Sequence, residues 1–195
     1  MASRLAFQEQ TLISLLSRKA NSPGKRNRVL KDSARDLGFG EEMVLDPVCV
    51  AYALLKLDVQ LDEVSRLLTW KDFERLAGAL FRAAGYQVKE NLYLRKPRAQ
   101  IDLVAYGPST ILAVDCKHWG RGVPGSTFRK AAQDQLKRCE MLRRKLDDSR
   151  PIGAMILALS PPEGTFVEGV PVVPVRTLRS FLGELESYAS LMEFR

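Results

Sequence analysis

Residues 101–117 constrain the fold of this chain more than any other stretch. Ile101-Asp102-Leu103-Val104-Ala105-Tyr106 is followed by Gly107-Pro108-Ser109-Thr110 and then by Ile111-Leu112-Ala113-Val114-Asp115-Cys116-Lys117. The two apolar, β-branched runs predict strands, and a four-residue loop of turn formers between them makes the pair antiparallel. If Tyr106 pairs with Ile111, counting outward sets Asp102 opposite Asp115. Opposed side chains in such a ladder have Cβ atoms about 4.5–5.5 Å apart, so two carboxylates there repel unless a cation lies between them. Residues at i and i+2 share a strand face, which brings Lys117 to the side of Asp115 and turns Cys116 to the other.

Two acids and a lysine on one hairpin face suit phosphodiester hydrolysis. Carboxylate oxygens hold a hard divalent cation that polarises the phosphate and activates a water, and a positive group serves the attacking water or the developing charge. Asp102 and Asp115 can do the first and Lys117 the second. A structural salt bridge between Lys117 and one Asp is the alternative, but structural networks rarely oppose two carboxylates.

The surrounding pattern predicts an α-β-β-β-α-β order. Thr69 with Asp72 reads as a capping box opening a helix over residues 70–84, with Phe73, Leu76, Ala77, Leu80 and Phe81 at helical spacing and Gly85 as the stop. Strands follow at 86–94, 101–106 and 111–116, a helix at 128–146, and a strand at 152–159. A short strand at 172–175 and a helix at 177–188 close the chain. Residues 103–105 and 111–114 are apolar on both faces, which predicts a sheet covered by helices on both sides. Residues 1–68 read as a separate helical region, with helices at 4–19, 26–37, 48–57 and 62–68 and Asp46-Pro47 as a cap, and residues 69–195 as the main domain.

Further polar residues are singled out by position. Glu74 lies in the first turn of its helix, where the macrodipole favours a carboxylate, yet it shares a stripe with Ala77, Gly78 and Phe81 and can look toward the sheet. Gln135 is the one amide in the apolar stripe Phe128, Ala131, Ala132, Cys139, Leu142, Leu146. Buried, it must find partners: a metal-bound water, an acidic ligand, a phosphate, or a backbone carbonyl of the sheet. His118 is turned from the site by alternation and ranks below Lys117.

Charge is concentrated in the middle of the chain. Residues 70–150 carry 17 Lys and Arg against 9 Asp and Glu, whereas the flanking segments are close to balanced. Such a local surplus favours a polyanion, nucleic acid being the commonest, although a solvated helix face is the competing reading. Arg95, Lys96 and Arg98 before Asp102, Arg121 in the Trp119-Gly120-Arg121-Gly122 loop, and Arg129, Lys130 and Lys137 on the helix are the phosphate-contact candidates, with Arg138, Arg143, Arg144 and Lys145 extending the same surface. Three cysteines without a CxxC pair support neither a disulfide framework nor a zinc site. No apolar run is long enough to span a bilayer and residues 1–10 lack a signal-peptide layout, so a soluble, cytoplasmic protein is expected.

The order of Phe73-Glu74, Leu80-Phe81, Gly85-Tyr86, Ile101-Asp102-Leu103 and Asp115-Cys116-Lys117 resembles the PD-(D/E)xK nuclease superfamily, with the restriction-endonuclease-like fold, over roughly residues 69–160. The group it looks most like is the Mrr-type restriction endonucleases, with archaeal Holliday junction resolvases as a near alternative. The resemblance implies a metal held by Asp102, Asp115, Glu74 and the backbone carbonyl of Cys116, with Lys117 acting on the water and Gln135 supporting it or a phosphate. Mg²⁺, with Mn²⁺ able to substitute, DNA as substrate and a homodimer are the corresponding expectations. The alternatives are a junction resolvase, RNA cleavage, or a non-catalytic DNA-binding protein that keeps the fold.

Overall fold

The computed structural model describes residues 14, 23–40, 46–61, 64, 67–95, 97–118, 123–159 and 165–195. They form two compact units, Met1–Ala79 and Leu80–Arg195.

In the first unit, helices α1 (Pro23–Asp36) and α2 (Pro47–Lys56) pack together. The expected cap is present: Asp46 Oδ1 accepts from the Val48 amide at 2.8 Å, and Pro47 takes the first helical position, where no N–H is needed. The helix expected at 4–19 lies outside the described residues apart from Ser14, and the one at 62–68 is described only at Val64, Leu67 and Leu68. Helix α3 (Trp70–Ala83) opens on the predicted capping box, in which the Asp72 amide donates to Thr69 Oγ1 at 3.2 Å and the Thr69 amide donates to Asp72 Oδ2 at 3.0 Å. It runs from the first unit into the second, whereas the sequence pattern alone divides the chain at 68/69. Gly85, at φ +89°, ends it in a left-handed turn that lets the Tyr86 amide reach back to the Phe81 carbonyl at 3.0 Å.

The second unit is built on a six-stranded mixed sheet flanked by helices, in the order β1 (Gln87–Arg95), β2 (Arg98–Tyr106), β3 (Ile111–Lys117), β4 (Ile152–Ala158), β6 (Val170–Pro174) and β5 (Thr165–Val167). The β1–β2 and β2–β3 pairs are antiparallel, while β3–β4 and β4–β6 are parallel. Tyr106 pairs with Ile111 as the turn length requires, and the ladder continues to Leu103 opposite Val114. Between β3 and β4 the chain crosses over through α4 (Gly125–Arg143). This helix lays Phe128, Ala132, Cys139 and Leu142 on the sheet face formed by Val104, Ile111, Ala113, Ile152, Ala154, Ile156 and Ala158. Leu103, Leu112, Val114, Met155 and Leu157, on the other side, are equally buried, so the central strands are covered on both faces as their composition predicts. The C-terminal residues contribute to that cover: Ile152 and Arg195 exchange two backbone hydrogen bonds of 2.9 Å, and Met192 and Phe194 lie against Gly153.

Two elements differ from expectation. Strand β5 is additional, joined to β6 by the two-residue turn Glu168-Gly169, whose φ values of +51° and +74° are those of a tight hairpin normally signalled by Asn-Gly. The helix expected at 177–188 is divided into α5 (Leu178–Gly183) and α6 (Leu185–Tyr188), because Glu184 leaves helical geometry at φ −111°, ψ 13°.

The hairpin that sets the register is closed by a tight approach. A Cβ on Gly107 would stand 2.6 Å from Tyr86 Cε1 and 3.0 Å from the Thr110 carbonyl. Gly107→Ala is expected to destabilise the fold by about 1–3 kcal/mol through overpacking against ring and backbone, read as a lower denaturation midpoint with an unchanged slope.

Candidate active site

The site forms where the β2–β3 ladder stops. After the Leu103–Val114 pair, the next step would place Asp102 opposite Asp115, and there the backbone pairing ends. The Asp102 carboxylate takes over: its Oδ2 accepts from the Cys116 amide at 2.8 Å. A side chain thus completes the hydrogen bonding of β3 and is fixed in place by it. Burial pushes the Asp102 pKa up, the Cys116 N–H opposes that, and the negative charge of Asp115 adds to the rise.

Asp115 sits deeper, at 3% exposure, on the strand face covered by α4. A carboxylate so placed stays charged only if cations meet it. Lys117, two residues along the same strand, brings Nζ to 2.8 Å from Oδ2. Arg138, from α4, brings Nη1 to 3.1 Å from Oδ1. The same Nη1 donates to Gln135 Oε1 at 3.0 Å, and Gln135 Nε2 donates to the Ala113 carbonyl at 2.8 Å. The fully buried amide therefore ties helix to strand and orients the guanidinium.

The structure brings together Asp102, Asp115, Lys117 and Gln135 of the sequence-derived set, and adds Arg138. For Gln135 it selects the backbone carbonyl among the partners open to it, with the arginine as the second. The sequence pattern groups Arg138 with the outer basic surface; the signal for its inward role is its place three residues after Gln135, next to it on the helix. Glu74 is buried in the first unit, at 8% exposure. Among the described residues no group of three or more His, Cys, Asp or Glu side chains is gathered that could hold a metal; the two acids that the β2–β3 hairpin brings together are Asp102 and Asp115. Their chemistry still fits a hard divalent cation. Both are oxygen donors, both are largely withdrawn from water, and burial with the neighbouring Asp115 charge raises the pKa of Asp102, a rise that a bound cation would oppose.

The outer basic residues separate into two kinds. Arg95, Arg98, Lys130, Arg144 and Lys145 are exposed. Arg129 and Lys137 are exposed as well, with Glu168 and Asp134 at 3.6 and 3.7 Å. Arg143 is withdrawn from the expected phosphate-binding surface, since it donates to the carbonyls of Leu146, Asp148 and Arg150 and so closes the end of α4. Lys96, Trp119 and Arg121 lie outside the described residues.

Residues 69–157 match the family model of NERD, the nuclease-related domain. The matched segment is just under half of the chain and runs from the capping box of α3 to Leu157 in β4, so it contains every residue of the site described above. The NERD domain has the restriction-endonuclease-like fold, which agrees with the strand order and the β3-α4-β4 crossover. No curated protein and no solved structure matches the chain. No helix among the described residues is long and apolar enough to cross a membrane.

The raised pKa of Asp102 has a defined consequence for stability. A carboxylate whose folded pKa lies above its unfolded value of 3.8 binds its proton more tightly in the folded state, so stability falls as pH rises from near 3.8 through the folded pKa. Asp102→Asn, which keeps an oxygen for the Cys116 amide, is expected to remove that part of the pH dependence and to raise Tm at pH 7, measured by thermal melts across pH 3–8.

Proposed function

We propose that this chain is a metal-dependent nuclease that hydrolyses phosphodiester bonds in DNA, with Asp102, Asp115, Lys117 and Arg138 at its centre. The observation that carries the reading is the convergence of two carboxylates from neighbouring strands with a lysine on the same strand face, inside a segment that matches a nuclease-related domain. Mg²⁺ would be held by Asp102 and Asp115, with the Cys116 carbonyl as a further oxygen donor, and Mn²⁺ would substitute. When bound, such an ion supplies Lewis-acid polarisation of the phosphate and a water of lowered pKa.

The chain's own residues then have separable tasks. Asp102 is oriented by the Cys116 amide, so its remaining oxygen is presented in a fixed direction. Lys117 is close enough to Asp115 to be positioned by it, and its 29% exposure lets the ammonium meet and orient a water from the solvent side, whereas taking that water's proton would require the neutral amine. The exposed Arg95, Arg98, Arg129, Lys130 and Lys137, together with Lys96 and Arg121, would contact backbone phosphates, positioning the duplex without reading sequence. Residues 1–68 would supply target recognition or dimerisation. Within the restriction-endonuclease-like enzymes, an Mrr-like cleavage of duplex DNA is the form proposed, with junction resolution as its closest competitor.

The full chain, incubated with Mg²⁺ and a panel of linear, methylated, branched and single-stranded DNA plus an RNA duplex, should cut at least one DNA form. Asp115→Asn and Lys117→Ala should each lower that rate about 10²-fold or more while DNA affinity changes little, because phosphate contacts at the periphery are kept. Equal cleavage by wild type and both variants would sink the assignment. Preferential cutting of four-way junctions would move it to the resolvase form, and cutting of RNA alone would exclude DNA.

A further inference from the structure

Asp115 is one carboxylate with two cations. Lys117 Nζ stands 2.8 Å from Oδ2 and Arg138 Nη1 stands 3.1 Å from Oδ1, so both oxygens are met by positive charge. Asp102, on the neighbouring strand, is met by the neutral Cys116 amide. The arrangement is lopsided for a pair of metal ligands, because two cations lie against one carboxylate while the other accepts from a neutral amide. Arg138 is also fixed from behind. Its Nη1 donates to Gln135 Oε1 at 3.0 Å, and Gln135, itself fully buried, is anchored to the Ala113 carbonyl at 2.8 Å. The rest of the guanidinium, Nε and Nη2, makes no hydrogen bond among the described residues, and the Arg138 side chain is 28% exposed. One edge of the guanidinium is thus engaged with the acid and the amide while its other donors are available to solvent.

We propose that Arg138 is a positioning residue that acts as the resident counter-cation of Asp115, which a divalent metal must displace from Oδ1 in order to bind. The proposal rests on the metal-dependent reading above. A divalent ion at Oδ1 and a guanidinium 3.1 Å from the same oxygen disfavour each other electrostatically. Metal binding therefore includes the cost of breaking the Arg138–Asp115 pair, and the site has a lower metal affinity than its carboxylates alone would give. A phosphate offsets that cost, because a guanidinium released from Asp115 can bond two phosphate oxygens at once. Metal and nucleic acid then favour each other's binding, and the coupling is reciprocal. Gln135 keeps the guanidinium at the site while it changes acceptor.

Calorimetric titration of the full chain with Mn²⁺, with and without a short phosphorothioate duplex, tests this directly. Without duplex, Arg138→Gln should bind Mn²⁺ about tenfold or more tightly than wild type, whereas Arg138→Lys, which keeps the charge, should stay within about threefold of it. The duplex should tighten Mn²⁺ binding to wild type and leave that of Arg138→Gln nearly unchanged. A purely structural ion pair would lower the Tm of Arg138→Gln and leave its Mn²⁺ affinity equal to or weaker than wild type, which would overturn the proposal. If Arg138→Gln does not fold, Gln135→Met keeps the arginine but removes the acceptor that pins it, and should tighten Mn²⁺ binding by about threefold; unchanged affinity overturns the proposal there too. Absence of Mn²⁺ binding to every form, wild type included, would instead overturn the metal-dependent reading on which this one stands.

Discussion

A carboxylate withdrawn from water on a central strand dictates much of what surrounds it. The desolvation of such a charge costs several kcal/mol unless opposite charge and hydrogen bonds meet both oxygens. For Asp115 the partners come from two elements: Lys117 from its own strand and Arg138 from the helix above it. That requirement sets the rotation of α4, which must turn Arg138 toward the sheet while keeping Phe128, Ala132, Cys139 and Leu142 in the core. Gln135 reconciles the two demands, since a buried amide on the apolar stripe has an acceptor for the arginine and a donor for the strand. The ion pair and the helix-to-sheet packing are therefore joined through Gln135, which bonds both the arginine and the strand.

The second constraint is the early end of the β2–β3 ladder. A further backbone pair at Asp102 and Asp115 would hold the two carboxylates side by side with like charges opposed, a destabilising arrangement in a sheet. Instead the Asp102 side chain occupies the place of a ladder acceptor and takes the Cys116 amide. The two acids, neighbours on one face, end in different surroundings. Asp115 is enclosed by cations, and Asp102 has its pKa raised by burial. Divergent environments for paired carboxylates are what acid–base and metal chemistry require, and here they follow from where a strand pair stops.

The hairpin register was legible in the sequence because the side-chain period of a strand is two and the Gly107–Thr110 turn leaves one way to pair the flanking runs. Capping at Thr69 and Asp46 was legible for a similar reason, as each is a local hydrogen bond between a short polar side chain and an amide a few residues away. Strand β5 was not, because its turn uses Glu168 at positive φ, a conformation for which glutamate gives no warning. Arg138 was missed for a different reason. A long flexible cation on a helix flank has the same sequence appearance whether it extends into solvent or folds back toward a buried acid, and only the partner's position decides. The bond from Asp102 to the Cys116 amide was hidden as well, since sequence gives the register of a ladder but not where its backbone bonds end.

The basic surplus in residues 70–150 illustrates how far a charge count can be taken. Within the second unit, Arg138 and Lys117 compensate Asp115, Arg82 pairs with Glu90 at 2.5 Å, and Arg143 and Arg150 hold the carbonyls of Asp148 and Gly107. These side chains are engaged within the unit, and their charge reaches a ligand already partly offset. The exposed remainder, Arg129, Lys130 and Lys137 on α4 with Arg144 and Lys145 just past its end, lies away from the inward side of the helix, which carries Gln135 and Arg138. A phosphate backbone drawn to that helix by long-range attraction, which is screened over about 10 Å at ordinary salt, would reach the exposed lysines and arginines first. It reaches the acids last, past the partly exposed Arg138. The same helix thus separates two uses of positive charge, general attraction on its outer face and compensation of a specific carboxylate on its inner one.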